Sequence, residues 1–129
     1  MRPLTDRERE VLIAMIEHAN EGHLPDRNRE EVSPEQRARW LSHVPELLAG
    51  EKCACSTCPT ISLTKEKYQV WPGRVFASEK IQHVLEAGVR GRPALLLLFI
   101  DEDEPYDLEL APFNDSIFDE FPPVSELTF

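Results

Sequence analysis

Three thiols fall within six consecutive positions, in the pattern Cys53-x-Cys55-x-x-Cys58. Thiolates are soft ligands, and three of them with one imidazole could hold Zn²⁺ tetrahedrally. His18, His23, His43 and His83 are the imidazoles available, and His43 is favoured because it sits on the segment just before the cysteines. The spacing is not that of a structural zinc site, which uses two well-separated ligand pairs. On a regular strand Cys53 and Cys55 share one face, and Cys58 falls on the other unless the chain bulges at Ser56-Thr57. The competing reading is packing, since free cysteine behaves as a small buried hydrophobe.

Other chemistry finds less support. A nucleophilic cysteine needs a base and a positive environment. Lys52 lies nearby, but no protease signature surrounds the thiols. Cys55-x-x-Cys58 has redox spacing without a thioredoxin-like βαβ pattern around it. Asp101, Glu102, Asp103, Glu104 and Asp107 are hard-cation ligands by type, yet the spacing and the glycine of an EF-hand loop are missing. They read first as a solvated hairpin turn and second as a protein-binding loop. The glycines at 22, 50, 73, 88 and 91 form no phosphate-binding loop. The expectation is therefore a chain that is not an enzyme.

The elements that must position these residues follow from periodicity and caps. Thr5 with Glu8 three residues on is a capping box, and Val11, Leu12, Met15 and Ile16 form one helical face after it. Gly22 is the expected stop. Ser33, Pro34 and Gln36 open a second helix, with Trp40, Leu41, Val44 and Leu48 on one stripe. Pro45 argues for a kink or break, and Gly50 for the end. Residues 53–63 read as a strand with an irregular middle, Trp71-Pro72-Gly73 as a turn, and Val75-Phe76 as the start of another strand. Residues 78–87 fit either a capped helix or a strand. The strand is preferred, because Gly88 to Pro93 then becomes a hairpin connection to Ala94–Ile100. That run, apolar on both faces, is the clearest strand and should be central. Tyr106, Leu108 and Leu110 alternate with acids, as in a strand with one wet face.

The chain thus reads as one domain of the α+β class: two N-terminal helices packed on an antiparallel β-meander of about four strands. Residues 1–50 form the helical part, 51–112 the meander, and 113–129 a tail. The tail carries Phe113, Ile117, Phe118 and Phe121 among acids and prolines, and so must pack on the core or on a partner.

Three stretches resemble a group of small bacterial proteins of unknown function. They are Leu4 to Leu12, Cys53-x-Cys55-x-x-Cys58-Pro59-Thr60-Ile61-x-Leu63, and Leu97-Leu98-Phe99-Ile100-Asp101. Leu108-Glu109-Leu110, Asp115-x-Ile117 and Phe121-Pro122 extend the likeness. The resemblance implies the meander order and a bacterial or phage setting, with no activity and no assigned site. Ala54 stands where that group has glycine, and Ser56-Thr57 precedes Cys58. Both departures argue against an obligatory metal site.

Charge narrows the partners. The formal net charge is −10, from 24 acidic against 14 basic residues, and the basic ones are interleaved with acids. Nucleic acid and anionic membrane both require clustered cations, so neither is expected. No apolar run is long enough to span a bilayer, and the first residues lack the apolar core of a signal peptide. An odd cysteine count does not make a disulfide framework, so the cytoplasm is the expected location. The function expected is a non-enzymatic protein-interaction module of the accessory, immunity or inhibitor kind. Asp103, Glu104, Phe118 and Phe121 would meet a protein partner, and a homo-oligomer stays open. No cofactor is expected on that reading; the second reading is a small structural zinc protein using Cys53, Cys55, Cys58 and His43, with zinc as its cofactor.

Overall fold

The computed structural model describes residues 2–21, 32–52, 59–65, 81–101, 103–113 and 118–129. Both expected capping boxes form. The Thr5 side chain accepts from the Glu8 amide, the Glu8 carboxylate accepts from the Thr5 amide at 2.8 Å, and helix α1 runs Asp6–His18. The same carboxylate takes both guanidinium nitrogens of Arg2, at 2.7 and 2.8 Å. Burial alone would raise the Glu8 carboxyl, but Arg2 and the Thr5 amide hold it below the ordinary carboxylate value. Ser33 and Gln36 cap helix α2, Pro34–His43. Arg37 of α2 donates to the carbonyls of Ile16 and Ala19, both at 2.9 Å. It thereby satisfies carbonyls that the end of α1 leaves without intrahelical donors.

The expected architecture of two N-terminal helices on about four meandering strands does not hold. Among the described residues the two helices accompany an eight-stranded antiparallel sheet. Its strands are β1 (Arg2–Pro3), β2 (Asn20–Glu21), β3 (Leu47–Lys52), β4 (Ile61–Lys65), β5 (Ile81–Val89), β6 (Ala94–Asp101), β7 (Glu104–Pro112) and β8 (Leu127–Thr128). The order is β1-β3-β4-β7-β6-β5-β2, with β8 also on β5. Only β5-β6-β7 is a meander. The β3–β4 hairpin attaches on its far side, through Ile61 opposite Leu108.

The physical reasons differ from strand to strand. β1, β2 and β8 have two residues each and carry no periodic signal; β2 and β8 exist because the edge of β5 needs partners for its backbone groups. β3 was expected to be helix. Pro45 stops α2 as the sequence implied, a 3-10 turn spans Val44–Glu46, and the chain then extends instead of resuming the helix. Leu48, read as part of the helical stripe, pairs with Thr64. The strand preferred over residues 78–87 is present as β5, and β5 turns into β6 through Gly91 at φ 71. The turn at 71–73 and the strand start at 75–76 lie outside the described residues.

One core lies between the helices and one face of the sheet. Val11, Leu12, Met15 and Ile16 of α1 and Trp40 of α2 meet Ile61, Leu63, Leu85, Leu96, Leu98 and Leu108. The tail closes this core. Phe118 and Phe121 are 4% and 1% exposed, Arg7 donates to the Phe121 carbonyl at 3.0 Å, and the Arg92 guanidinium lies over the Phe118 ring.

Candidate functional site

Three strands present a second face, pointing away from the helices. Alternation along β5, β6 and β7 buries every other side chain in the core and leaves the intervening ones half-buried. The registers align these into three cross-strand rows. Val84, Phe99 and Asp107 form the first; Glu86, Leu97 and Glu109 the second; Gly88, Leu95 and Ala111 the third. Leu97 thus has a carboxylate directly opposite on each side. Phe113, one step beyond β7 in the same alternation, is 67% exposed, and its amide is tied to the Pro93 carbonyl at 2.7 Å. The Tyr106 ring lies 6.0 Å from that of Phe99. No Lys or Arg stands in the nine positions of the three rows.

Asp107 is the most perturbed group of this face. Burial, and secondarily the neighbouring Glu109 charge, push its carboxyl up to about 6. The unfolded value lies near 3.8, so ionising Asp107 works against the folded state. Well below 3.8, at about pH 2.5, the carboxyl is protonated folded or unfolded, and nothing is lost. Stability then falls as pH rises through the folded value. Asp107→Asn is expected to raise stability at pH 7 by about 2 kcal/mol, with the gain gone at about pH 2.5. Urea unfolding at the two pH values checks this.

The residues expected to meet a partner are placed elsewhere and are engaged within the chain. Asp103 occupies the β6–β7 turn at φ 60, a left-handed position that aspartate tolerates better than most residues. Its Oδ1 accepts from the buried Trp40 indole at 3.2 Å, and its Oδ2 faces Arg39 Nε at 3.4 Å. Removing that acceptor strands a buried N–H. Asp103→Ala is expected to cost about 2 kcal/mol, and Asp103→Asn, which keeps an acceptor oxygen, less than half of that. Thermal melts of the two variants side by side are the check. Glu104 accepts from Lys65 at 3.2 Å. Phe118 and Phe121 are core, so the acidic turn and the two phenylalanines do not compose one exposed surface.

A polar cluster links α2 to the sheet, and its composition alone resembles catalytic machinery. Lys65 ends β4 with its side chain 5% exposed, and donates to His43 Nδ1 at 2.8 Å. Glu104 and Glu46 lie 3.2 and 3.3 Å from the same ammonium. Because an ammonium only donates, Nδ1 must accept, which places the neutral imidazole's proton on Nε2. His83 Nδ1 lies 2.5 Å from Glu21 Oε1, with its ring 5.2 Å from that of Trp40. Each of these groups is engaged by a neighbour, and none of these described residues is a hydroxyl or thiol nucleophile. The arrangement joins α2, β2, β4, β5 and β7 at one end of the sheet.

Cys53, Cys55 and Cys58 lie outside the described residues. His43 is hydrogen-bonded to Lys65, whose partner across the hairpin is Leu47. Lys52 and Ile61, which flank the cysteines in sequence, pair at the other end of β3 and β4. Among the described residues no cluster of His, Cys, Asp and Glu could hold a metal ion, and no helix is long and apolar enough to cross a membrane. Sequence reasoning missed the outward rows. Ala94–Ile100 is apolar at every position, so its sequence does not distinguish a core face from an outward one. The signal was there in the acids alternating with Leu108 and Leu110, but the rows exist only once the registers are known. No protein-family model matches the chain, and no curated protein or solved structure matches it.

Proposed function

We propose that the chain is a non-enzymatic protein-interaction module, of the accessory, immunity or inhibitor kind, and that it contacts its partner through the outward face of β5, β6 and β7. The observation that carries this reading is the row structure itself. Leu95, Leu97, Phe99, Val84 and Ala111 make a contiguous half-exposed apolar stripe, extended by Phe113 at 67% exposure. Contiguous apolar surface on a folded chain marks a contact site more often than scattered single residues do. Phe113 and Phe99 are of the aromatic type that interfaces favour.

The test is paired capture. Wild type is compared with Leu97→Ser/Phe113→Ser, two changes outside the core that should leave the fold intact. A protein retained by wild type and lost by the variant, at equal thermal stability of the two baits, is the expected result. Identical sets of captured proteins would remove this face from consideration.

A further inference from the structure

The face has a chemistry specific enough to describe its occupant. Glu86 and Glu109 flank Leu97 from the two neighbouring strands, each directly opposite it in register. Directly opposed residues on one face stand about 5 Å apart, within reach of a single long side chain laid over the leucine. Asp107 follows two residues before Glu109 on the same face, opposite Phe99. The apolar centre is therefore bordered by three carboxylates, and no cation stands in the same rows.

Given that this face binds a protein, we infer that the occupant is a segment with lysine or arginine on either side of an apolar residue. Its aliphatic stems would cover Leu97 and Phe99, and its charged ends would reach Glu86, Glu109 and Asp107. Long basic side chains are built for this division, with an apolar stem and a charged head. A second copy of the chain fits poorly. Stacking two such faces sets carboxylate rows against carboxylate rows, which is repulsive. A net charge of −10 opposes the same encounter from a distance. Nucleic acid and anionic lipid are excluded by the same sign.

Two synthetic peptides decide the matter, one alternating leucine with lysine and one alternating leucine with glutamate. Each is titrated into the isotope-labelled full chain, with amide shifts followed by NMR. The lysine peptide is expected to move the amides of residues 84–88, 95–99 and 107–111, and the glutamate peptide to leave them still. An acidic chain attracts any cation weakly, so position must be separated from charge. Glu86→Gln/Glu109→Gln should weaken the lysine peptide about tenfold. Glu10→Gln/Glu35→Gln removes two exposed acids from the helices and should weaken it less than about twofold. Equal loss in both pairs, or shifts spread over the whole surface, would overturn the assignment. So would equal binding of the two peptides, or a dimer in sedimentation that Leu97→Ser abolishes. The capture experiment separates the two layers of the argument. If Leu97→Ser/Phe113→Ser loses a captured protein that Glu86→Gln/Glu109→Gln keeps, the face is a contact site and its cationic specificity is wrong. If neither change matters, the contact site itself is wrong.

Discussion

Lys65→Ala is expected to destabilise the fold by about 3–5 kcal/mol, which is a large part of a small domain's total. The ammonium is 5% exposed and lies within 3.3 Å of His43, Glu46 and Glu104. Its removal takes away an ammonium that Glu104, itself only 15% exposed, faces at 3.2 Å. The cluster also sits where the sheet divides. β4 pairs with β7 through Ile61 and Ser62, and the Lys65–Glu104 contact adds a side-chain link further along the same two strands. A buried ion pair need not stabilise relative to an apolar replacement, although breaking one by removing a single partner does cost. The double change Lys65→Met/Glu104→Gln should therefore recover more than half of what Lys65→Ala loses. Urea midpoints of the three proteins test this. A loss under about 1 kcal/mol for Lys65→Ala would mean that water reaches the cluster and the pair is screened.

Phe121→Ala is expected to cost about 3–5 kcal/mol, the usual consequence of emptying an aromatic site in a packed core. Phe121 is 1% exposed and its carbonyl is held by Arg7 of α1. The same chain segment ends in β8 on the edge of β5. The alanine variant is thus expected to lower the thermal midpoint sharply and to loosen β8. Hydrogen exchange should then rise at Arg90, whose amide bonds the Glu126 carbonyl at 2.7 Å. A partner lost by this variant would report unfolding and not recognition. The same reservation holds for Phe118, Asp103 and Glu104, whose side chains all serve the fold. Contact residues must be sought where substitution leaves stability alone, as at Phe113.

The features legible without coordinates are those decided within a few residues. Thr5 with Glu8, and Ser33 with Gln36, satisfy helix-end amides three positions away, so the sequence contains the whole interaction. Pro45 ends a helix through its own ring. Ala94–Ile100 is a strand because so short an apolar run between a proline and an acidic turn has few alternatives. Gly91 takes the left-handed turn its missing Cβ permits. These local decisions account for both helices and for the strands β5, β6 and β7.

What only the tertiary structure decided depends on pairing between distant segments. Arg2–Pro3, Asn20–Glu21 and Leu127–Thr128 are strands because β3 and β5 offer edges, and nothing in two residues encodes that. Leu47–Lys52 could continue a helical stripe or pair with β4, and the backbone bonds to Ile61–Lys65 settled it. Phe121 reads as apolar in sequence, but its position beside α1 is set by how the tail crosses the molecule. The outward rows are the same kind of fact. A carboxylate on either side of Leu97 is a property of three registers at once, and a one-residue slip of β5 or β7 would turn Glu86 or Glu109 into the core. Local chemistry chose the elements; the burial of one shared face chose their order, and with it the residues that stand together on the other.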